Sequence, residues 1–332
     1  MTLRAPTFWW RPRPGPAALA LAPLAALYGA VAGSRMGKSG TGVGVPVVCV
    51  GNFVVGGAGK TPLAIEIAGQ LLAFGHSPAF VSRGYGRDTG APGSIRVDLA
   101  RHDAADVGDE PLLLARAAPC FVAADRVAAA RAAVAGGATV VIMDDGLQSR
   151  SLGKDAAIAV VDGGVGVGNG LCLPAGPLRA PLARQWGSVD LVVVIGAEPP
   201  GEAVAVKAGR RGLPVMHGAF EPSERGLAEL RGRRLVAFSG IGRPEKFFRT
   251  LQSAGLDVAR VIGFPDHHVY TARDLDGLRG AAAAAGATLV TTEKDRVRLP
   301  AEFPAAALPV RLRFADPVPL DDLLGALLSG AA

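Results

Sequence analysis

The chain has 332 residues, 49% of them hydrophobic and 19% charged, with a formal net charge of +6. That length and apolar content exclude a disordered chain and suit one large or two modest domains with cores of their own. The positive balance suits an anionic partner, but only 5% of residues are aromatic and no basic block interleaves with them, which argues against a nucleic-acid partner; the scattered Cys49, Cys120 and Cys172 make neither a disulfide framework nor a zinc site and fit a reduced cytosolic compartment.

At the start, Arg4, Arg11 and Arg13 precede an apolar stretch from Pro16 to Gly33, with Trp9 and Trp10 before it and Arg35 and Lys38 after. Three readings compete. A cleaved signal peptide has Ala30-Val31-Ala32 as its site but is set aside by the segment that follows. A spanning helix wants about 20 apolar residues, and this run is short and interrupted by Pro23. The favoured reading for residues 1–38 is a helix lying in or dipping into a membrane leaflet, with tryptophans at the interface and basic residues against anionic head groups. A buried core helix is the alternative.

The chain is organised around Val47 to Gly69. An apolar β-branched run (Val47 to Val50) leads into a glycine-rich loop ending Gly56-Gly57-Ala58-Gly59-Lys60-Thr61, and a helical apolar pattern (Leu63, Ile65, Ile67, Leu71, Leu72) follows. Strand, loop, Lys-Thr and helix in that order form a P-loop. Glycines let successive N–H groups point at phosphate oxygens, the helix N-terminus adds its dipole, Lys60 supplies a charge and Thr61 offers a hydroxyl to Mg²⁺. The strict pattern wants glycine at position 54, where this chain has Val54, and the bland reading is a glycine-rich turn that happens to contain Lys-Thr. Export would separate such a loop from ATP, which disfavours the signal peptide.

A second apolar run, Ala79 to Val81, ends in Ser82-Arg83-Gly84-Tyr85-Gly86-Arg87, placing Arg83 and Tyr85 where ligands gather in a parallel sheet; an ordinary solvated turn is the alternative. Val107-Gly108-Asp109-Glu110-Pro111 opens a helix whose paired acids, taken alone, complement its dipole. Cys120 to Ala123 predicts a strand, and Asp125-Arg126 starts an alanine-rich helix. Thr139 to Asp145 reads as a strand that ends by aiming a carboxylate, Asp144 or Asp145, at Mg²⁺; a buried strand closed by a solvated Asp-Asp turn is the alternative. Strands at Ala157 to Val161 and Asp190 to Ile195 flank a long loop through Asn169, Pro174 and Arg179, a length that predicts function.

Beyond Gly196 the pattern restarts, with strands near Arg234 to Phe238, Val258 to Ile262, Thr288 to Thr291 and Val310 to Leu312, and helices near Pro244 to Ala254 and Thr271 to Ala285. The expected architecture is therefore α/β: a P-loop NTPase-like, mainly parallel sheet over residues 39–196, a smaller α/β lobe over 197–332, and the N-terminal membrane-associated helix over 1–38.

These segments together resemble the tetraacyldisaccharide 4′-kinases, the lipid A 4′-kinases of Gram-negative bacteria. The motifs are GNFVVGGAGKTP at 51–62, SRGYGR at 82–87, VGDEP at 107–111, DDGLQ at 144–148, LCLPAGPLR at 171–179, FPDHH at 264–268 and TTEKD at 291–295. Ser149 stands where a histidine is common, and Cys172 replaces a leucine. The resemblance implies transfer of the ATP γ-phosphoryl to the 4′-hydroxyl of a lipid-linked glucosamine disaccharide 1-phosphate at the cytoplasmic face of the inner membrane. It further implies an acid-base dyad of Asp109 and His267, with Lys60 in the catalytic set. It also suggests Thr61, Asp144 and Asp145 toward Mg²⁺, and Arg83, Tyr85, Arg126, Asn169 and Arg179 toward the acceptor.

The competing class is a membrane-associated P-loop ATPase that switches conformation and modifies nothing. Its loop reads KGGxGKT, and Val55 stands where that lysine would be. A GTPase would want [NT]-K-x-D, but Thr292-Glu293-Lys294-Asp295 has the wrong spacing.

Overall fold

The computed structural model describes residues 5–36, 40–84 and 93–330. Thirteen strands form among them: β1 (Val47–Gly51), β2 (Pro78–Ser82), β3 (Ile95–Arg96), β4 (Cys120–Val122), β5 (Val140–Asp144), β6 (Ala156–Asp162), β7 (Leu191–Ile195), β8 (Val215–Pro222), β9 (Arg234–Ser239), β10 (Asp257–Gly263), β11 (Thr288–Thr292), β12 (Ala305–Leu308) and β13 (Val310–Phe314). Nine make one sheet in the order β13-β8-β7-β6-β1-β5-β2-β4-β3. Pairing is parallel except at the two edges, where β13 opposes β8 and β3 opposes β4.

The unbroken apolar runs of β1, β5, β6 and β7 are what a sheet covered on both faces requires. Val48 and Val50 face the Lys60–Ala73 helix through Leu63, Ile67 and Leu71, while Val47 and Cys49 face Ala129, Ala130 and Ala133 of the Arg126–Ala135 helix. Each fully buried leucine or isoleucine contributes roughly 2 kcal/mol, so the helix carrying Lys60 and Thr61 is held firmly against the sheet. β1 lies between β5 and β6 with Val50 level with Asp144. The P-loop and the Asp144-Asp145 pair therefore leave the same carboxyl edge side by side.

The other four strands form a parallel sheet in the order β10-β9-β11-β12. It has its own core on both faces, with Leu235, Phe247 and Val290 on one and Phe238, Leu278 and Phe303 on the other. The boundary expected at residue 196 is corrected by the topology. β8 and β13 both lie beyond it, yet they form an edge of the large sheet, and Leu320, Leu324 and Leu327 of the Val318–Leu328 helix join the core of that sheet. The small lobe is thus inserted between β8 and β13, its entry and exit tied by the bond from the Ser223 amide to the Pro309 carbonyl, 2.8 Å. Val310 to Leu312 was expected in the small lobe; its partner is β8, far back in the chain, and local pattern carries no trace of such pairing.

The apolar N-terminal stretch forms a helix over Pro16–Met36 that continues through Pro23. Its small residues Ala18, Ala25, Gly29 and Gly33 fall on one face and are buried. A Cβ added at Gly29 would come within 3.2 Å of Cys172 Sγ and 3.3 Å of Pro181, so the absence of side chains is what lets the helix settle on the 172–184 segment. Leu19, Leu24, Leu27 and Val31 are left exposed on the helix. Trp9 is tied to the same segment, its indole N–H donating to the Pro174 carbonyl at 2.9 Å.

Candidate active site

The P-loop is shaped by backbone that only glycine adopts readily. Gly59 has φ +93°, and a Cβ there would lie 2.7 Å from both Ile195 and Phe220. Asn52 donates to the Gly56 carbonyl at 3.0 Å and so closes the loop on itself. Gln148, the last residue of DDGLQ, donates to the Asn52 carbonyl at 2.8 Å and to Gln185 at 2.7 Å. Val54 breaks the strict glycine pattern because it is extended, bridging Leu178. Its carbonyl accepts Arg179 Nε at 3.0 Å, and the Val55 amide donates to the Pro177 carbonyl at 2.9 Å. Residues 171–179 thus buttress the loop from outside.

Lys60 and Thr61 open the helix and are buried. Lys60 Nζ is 3.6 Å from Asp145 Oδ1, and Arg179 holds the same oxygen at 2.8 Å. Arg126 donates to the Asp145 carbonyl at 2.8 Å. Asp145 is one of two described non-glycine residues with positive φ, +52°, which turns the chain sharply after β5. Burial would raise its carboxyl, but Lys60, Arg179 and Arg126 hold it below the usual range. Asp144 differs. It is almost wholly buried, its Oδ1 has no hydrogen-bond partner, and burial together with the charge of Glu110 pushes it up to about 7.

Asp109 and His267, 158 residues apart, are in contact: Asp109 Oδ2 lies 2.9 Å from His267 Nδ1. Asp109 follows Gly108 (φ +93°) at the start of the Asp109–Leu114 helix, and His267 is the other positive-φ residue, at +54°. Burial alone would raise Asp109; the bond with His267 and the charges of Lys294 and Arg298 outweigh it and hold the carboxyl at about 2. Arg298 Nε is 3.2 Å from the same oxygen, both side chains being 5% exposed.

The turn bearing His267 is built by TTEKD. Asp295, fully buried, accepts from Tyr270 (2.7 Å), Ser239 (2.8 Å), the Gly240 amide (2.8 Å) and Thr292 (2.6 Å), and the Gly240 carbonyl accepts the His267 amide at 3.1 Å. Burial and the Asp295 charge raise the Tyr270 hydroxyl, keeping it a donor. The lobe is pinned to the core at Asp162, at the end of β6, which takes Lys246 at 2.8 and 2.9 Å and also Arg243. A Cβ at Gly242 would lie 3.3 Å from Asp266 and 3.9 Å from the Gly57 amide, so the segment next to His267 comes down on the P-loop.

The expected acceptor-binding residues are placed unevenly. Arg126 is at the site, and burial with the charge of Arg83 pushes it below its ordinary value. Arg83 is exposed just past β2. Tyr85 lies outside the described residues. Arg179 is engaged with Asp145 and the P-loop. Asn169 is buried and serves its own loop, donating to the Ala175 carbonyl at 2.9 Å and accepting the Leu171 amide at 3.1 Å. Lys294, Arg298, Gln148 and the Asp162–Lys246 pair were not anticipated. TTEKD and DDGLQ stand out in the sequence as motifs, but only the fold shows what they touch.

Residues 17–329 match the family profile described as tetraacyldisaccharide-1-P 4′-kinase. A tetraacyldisaccharide 4′-kinase from Methylobacterium nodulans is 57% identical over 316 residues, covering 95% of this chain and 93% of that relative. One from Bradyrhizobium sp. is 46% identical over 336 residues, covering 99% and 96%. Among solved structures, LpxK from Aquifex aeolicus, crystallised in complex with ATP, matches with a TM-score of 0.73 at 25% identity over 93% of this chain and 99% of its own.

Proposed function

The chain belongs to the tetraacyldisaccharide-1-P 4′-kinase family, and on that premise we propose how its own residues carry the transfer. The protein is a phosphotransferase with an alcohol acceptor, the 4′-hydroxyl of a lipid-linked glucosamine disaccharide 1-phosphate, in lipid A biosynthesis. ATP is the donor, a reading supported by the P-loop geometry and by the nucleotide bound to the Aquifex aeolicus relative. The P-loop amides and Lys60 cradle the β- and γ-phosphates. A sugar hydroxyl is a poor nucleophile, so a base must take its proton as the γ-phosphoryl departs; His267, oriented by Asp109, is that base. The observation that carries this reading is the 2.9 Å contact made between lobes, beside the P-loop.

Mg²⁺ fits the residues present. Asp145 is already engaged through Oδ1 by Arg179 and Lys60, whereas Asp144 is buried with an unpartnered oxygen within reach of the Lys60 charge, and a cation would satisfy it. Among the described residues no cluster of three or more His, Cys, Asp or Glu side chains could cage a metal alone, which suits an ion shared with substrate phosphates. Bound there, Mg²⁺ would neutralise charge on the phosphates. Asp144 and Thr61 are the residues to hold it, and Asp145 positions Lys60.

The test is to incubate the protein with γ-labelled ATP and the lipid disaccharide across a Mg²⁺ series. Label should enter the lipid only with the metal. Asp144→Asn should raise the Mg²⁺ concentration for half-maximal rate by about tenfold or more, and more than Asp145→Asn does. Label appearing only as inorganic phosphate would favour the ATPase switch, and equal metal requirements for the two variants would remove Asp144 from the metal site.

The exposed face Leu19, Leu24, Leu27 and Val31 on the only described helix long and apolar enough for a bilayer supports docking on a membrane surface, and the ATP donor favours the cytoplasmic face of the inner membrane as that surface. Replacing Leu24, Leu27 and Val31 by Gln, or deleting residues 1–33, should weaken vesicle binding by roughly tenfold or more while nucleotide affinity stays within about twofold. High salt should extract little wild-type protein, since apolar burial is not screened. Full vesicle binding by the Gln variant would assign the association to another surface.

A further inference from the structure

Lys294 has no role in the reading above, yet it occupies a central place in the dyad. Its Nζ lies 3.2 Å from His267 Nε2 and 3.2 Å from Glu110 Oε1. Glu110 follows Asp109 on the core helix, and Lys294 belongs to the Glu293–Arg296 turn of the small lobe. The two carboxylates of VGDEP thus hold one cation and one imidazole of the opposite lobe, and those two groups touch each other.

An ammonium has three donors and no acceptor, so a hydrogen bond between charged Lys294 and His267 Nε2 requires the ring nitrogen to accept. The ring proton of neutral His267 must then sit on Nδ1, where it is donated to Asp109 Oδ2. Lys294 is charged in this setting: burial pulls its pKa down, but Glu110, Asp109 and Asp266 outweigh burial and raise it. Among the described residues, the charged groups around the ring include Asp109 and Glu110 from the core, Asp266 beside it in its own turn, and Lys294 and Arg298 from the segment behind it. Removing Lys294 removes the cation on Nε2 and leaves Asp109, Glu110 and Asp266 beside the ring, carboxylates that favour its protonation, and a doubly protonated ring has no lone pair with which to take a proton.

We propose that Lys294 is a positioning residue for the transfer: held by Glu110, it donates to Nε2 of His267 and so fixes the neutral tautomer with its proton toward Asp109 and its lone pair on the nitrogen that faces away from Asp109. When the acceptor hydroxyl arrives at Nε2 it takes the place of the ammonium as donor, and the proton moves from the hydroxyl oxygen to Nε2 as the new O–P bond forms and the bond to the ADP oxygen breaks. This rests on His267 being the base, and the experiment separates the two.

Full-length protein is labelled with ¹⁵N-histidine, and the His267 ring signals are identified by their loss in His267→Asn. In wild type at mildly alkaline pH, Nδ1 should show the shift of a protonated nitrogen and Nε2 that of an unprotonated one. In Lys294→Met the ring should move toward the doubly protonated form or the opposite tautomer. Turnover should fall by about tenfold to a hundredfold, with the acid side of the rate profile displaced to higher pH, and nucleotide affinity should change by less than about threefold. Lys294→Arg, which keeps charge and donor, should restore the wild-type ring signals and part of the rate. If Lys294→Met leaves Glu110 unpaired and the protein unfolded, Lys294→Met combined with Glu110→Gln removes both charges and carries the same expectation. A proton on Nε2 in wild type, or an unchanged ring spectrum in the Lys294 variants whatever their rate, would overturn the proposal. Near-normal turnover in folded His267→Asn would overturn the base assignment itself.

Discussion

Lys60→Ala is expected to lower turnover by about three orders of magnitude or more while the protein stays folded. Lys60 is nearly buried at the first turn of a helix whose amides already point toward the phosphate position, so its ammonium acts with little water to screen it. Charge that grows on the transferring phosphoryl and its leaving oxygen is met there, and a thousandfold loss corresponds to about 4 kcal/mol of transition-state stabilisation. Folding should survive because Asp145, the carboxylate next to Lys60, keeps Arg179 at 2.8 Å, and Arg126 still holds its carbonyl. The check is turnover alongside thermal unfolding. Near-normal turnover in a folded variant would remove the P-loop from the reaction.

The P-loop was legible despite Val54 because its meaning lies in order, strand then glycines then Lys-Thr then helix, and the fold shows why the deviation is harmless. Val54 sits in an extended bridge to Leu178, a place where glycine's freedom is not needed. Strands β1, β5, β6 and β7 were legible because a strand covered on both faces must be apolar throughout. The seam between lobes was not. Val310 to Leu312 reads as one more short strand of the second lobe after Thr288 to Thr291, and nothing local reports that its partner is β8 rather than the smaller sheet. The same holds for the site. Asp109 and His267 were joined only through the family resemblance, and Lys294, Arg298 and Lys246 each act through a partner more than 80 residues away. Such pairs leave no periodicity. Asn169 shows the converse: a polar residue in a long glycine-rich loop suggests a ligand, but its amide is used to hold that loop in shape.

Asp109→Ala and His267→Ala should each cost about a hundredfold or more in turnover, and the double variant should cost little beyond the worse of the two, because groups acting as one unit are not additive. Asp109, held at about 2, is ionised across any practical assay range and is a weak base by itself. Loss of activity on acidification down to about pH 4 therefore reports some other group. Its chemical value lies in receiving the His267 Nδ1 proton, which is why deleting either partner should disable both. Stability will separate the variants. Asp109 also binds Arg298, and both are nearly inaccessible, so Asp109→Ala leaves a buried guanidinium short of a partner and should destabilise more than His267→Ala. The folded carboxyl lies below the ordinary value of an unfolded aspartate, so the stabilisation is present above about pH 4 and is lost as pH falls toward 2. That shift is worth roughly 2 kcal/mol. The stability gap between wild type and Asp109→Ala should narrow correspondingly below pH 4, while the loss of turnover in the folded fraction at neutral pH remains. If instead the two rate losses multiply in the double variant, the residues act independently, and Asp109 belongs to the docking of the lobes rather than to the base.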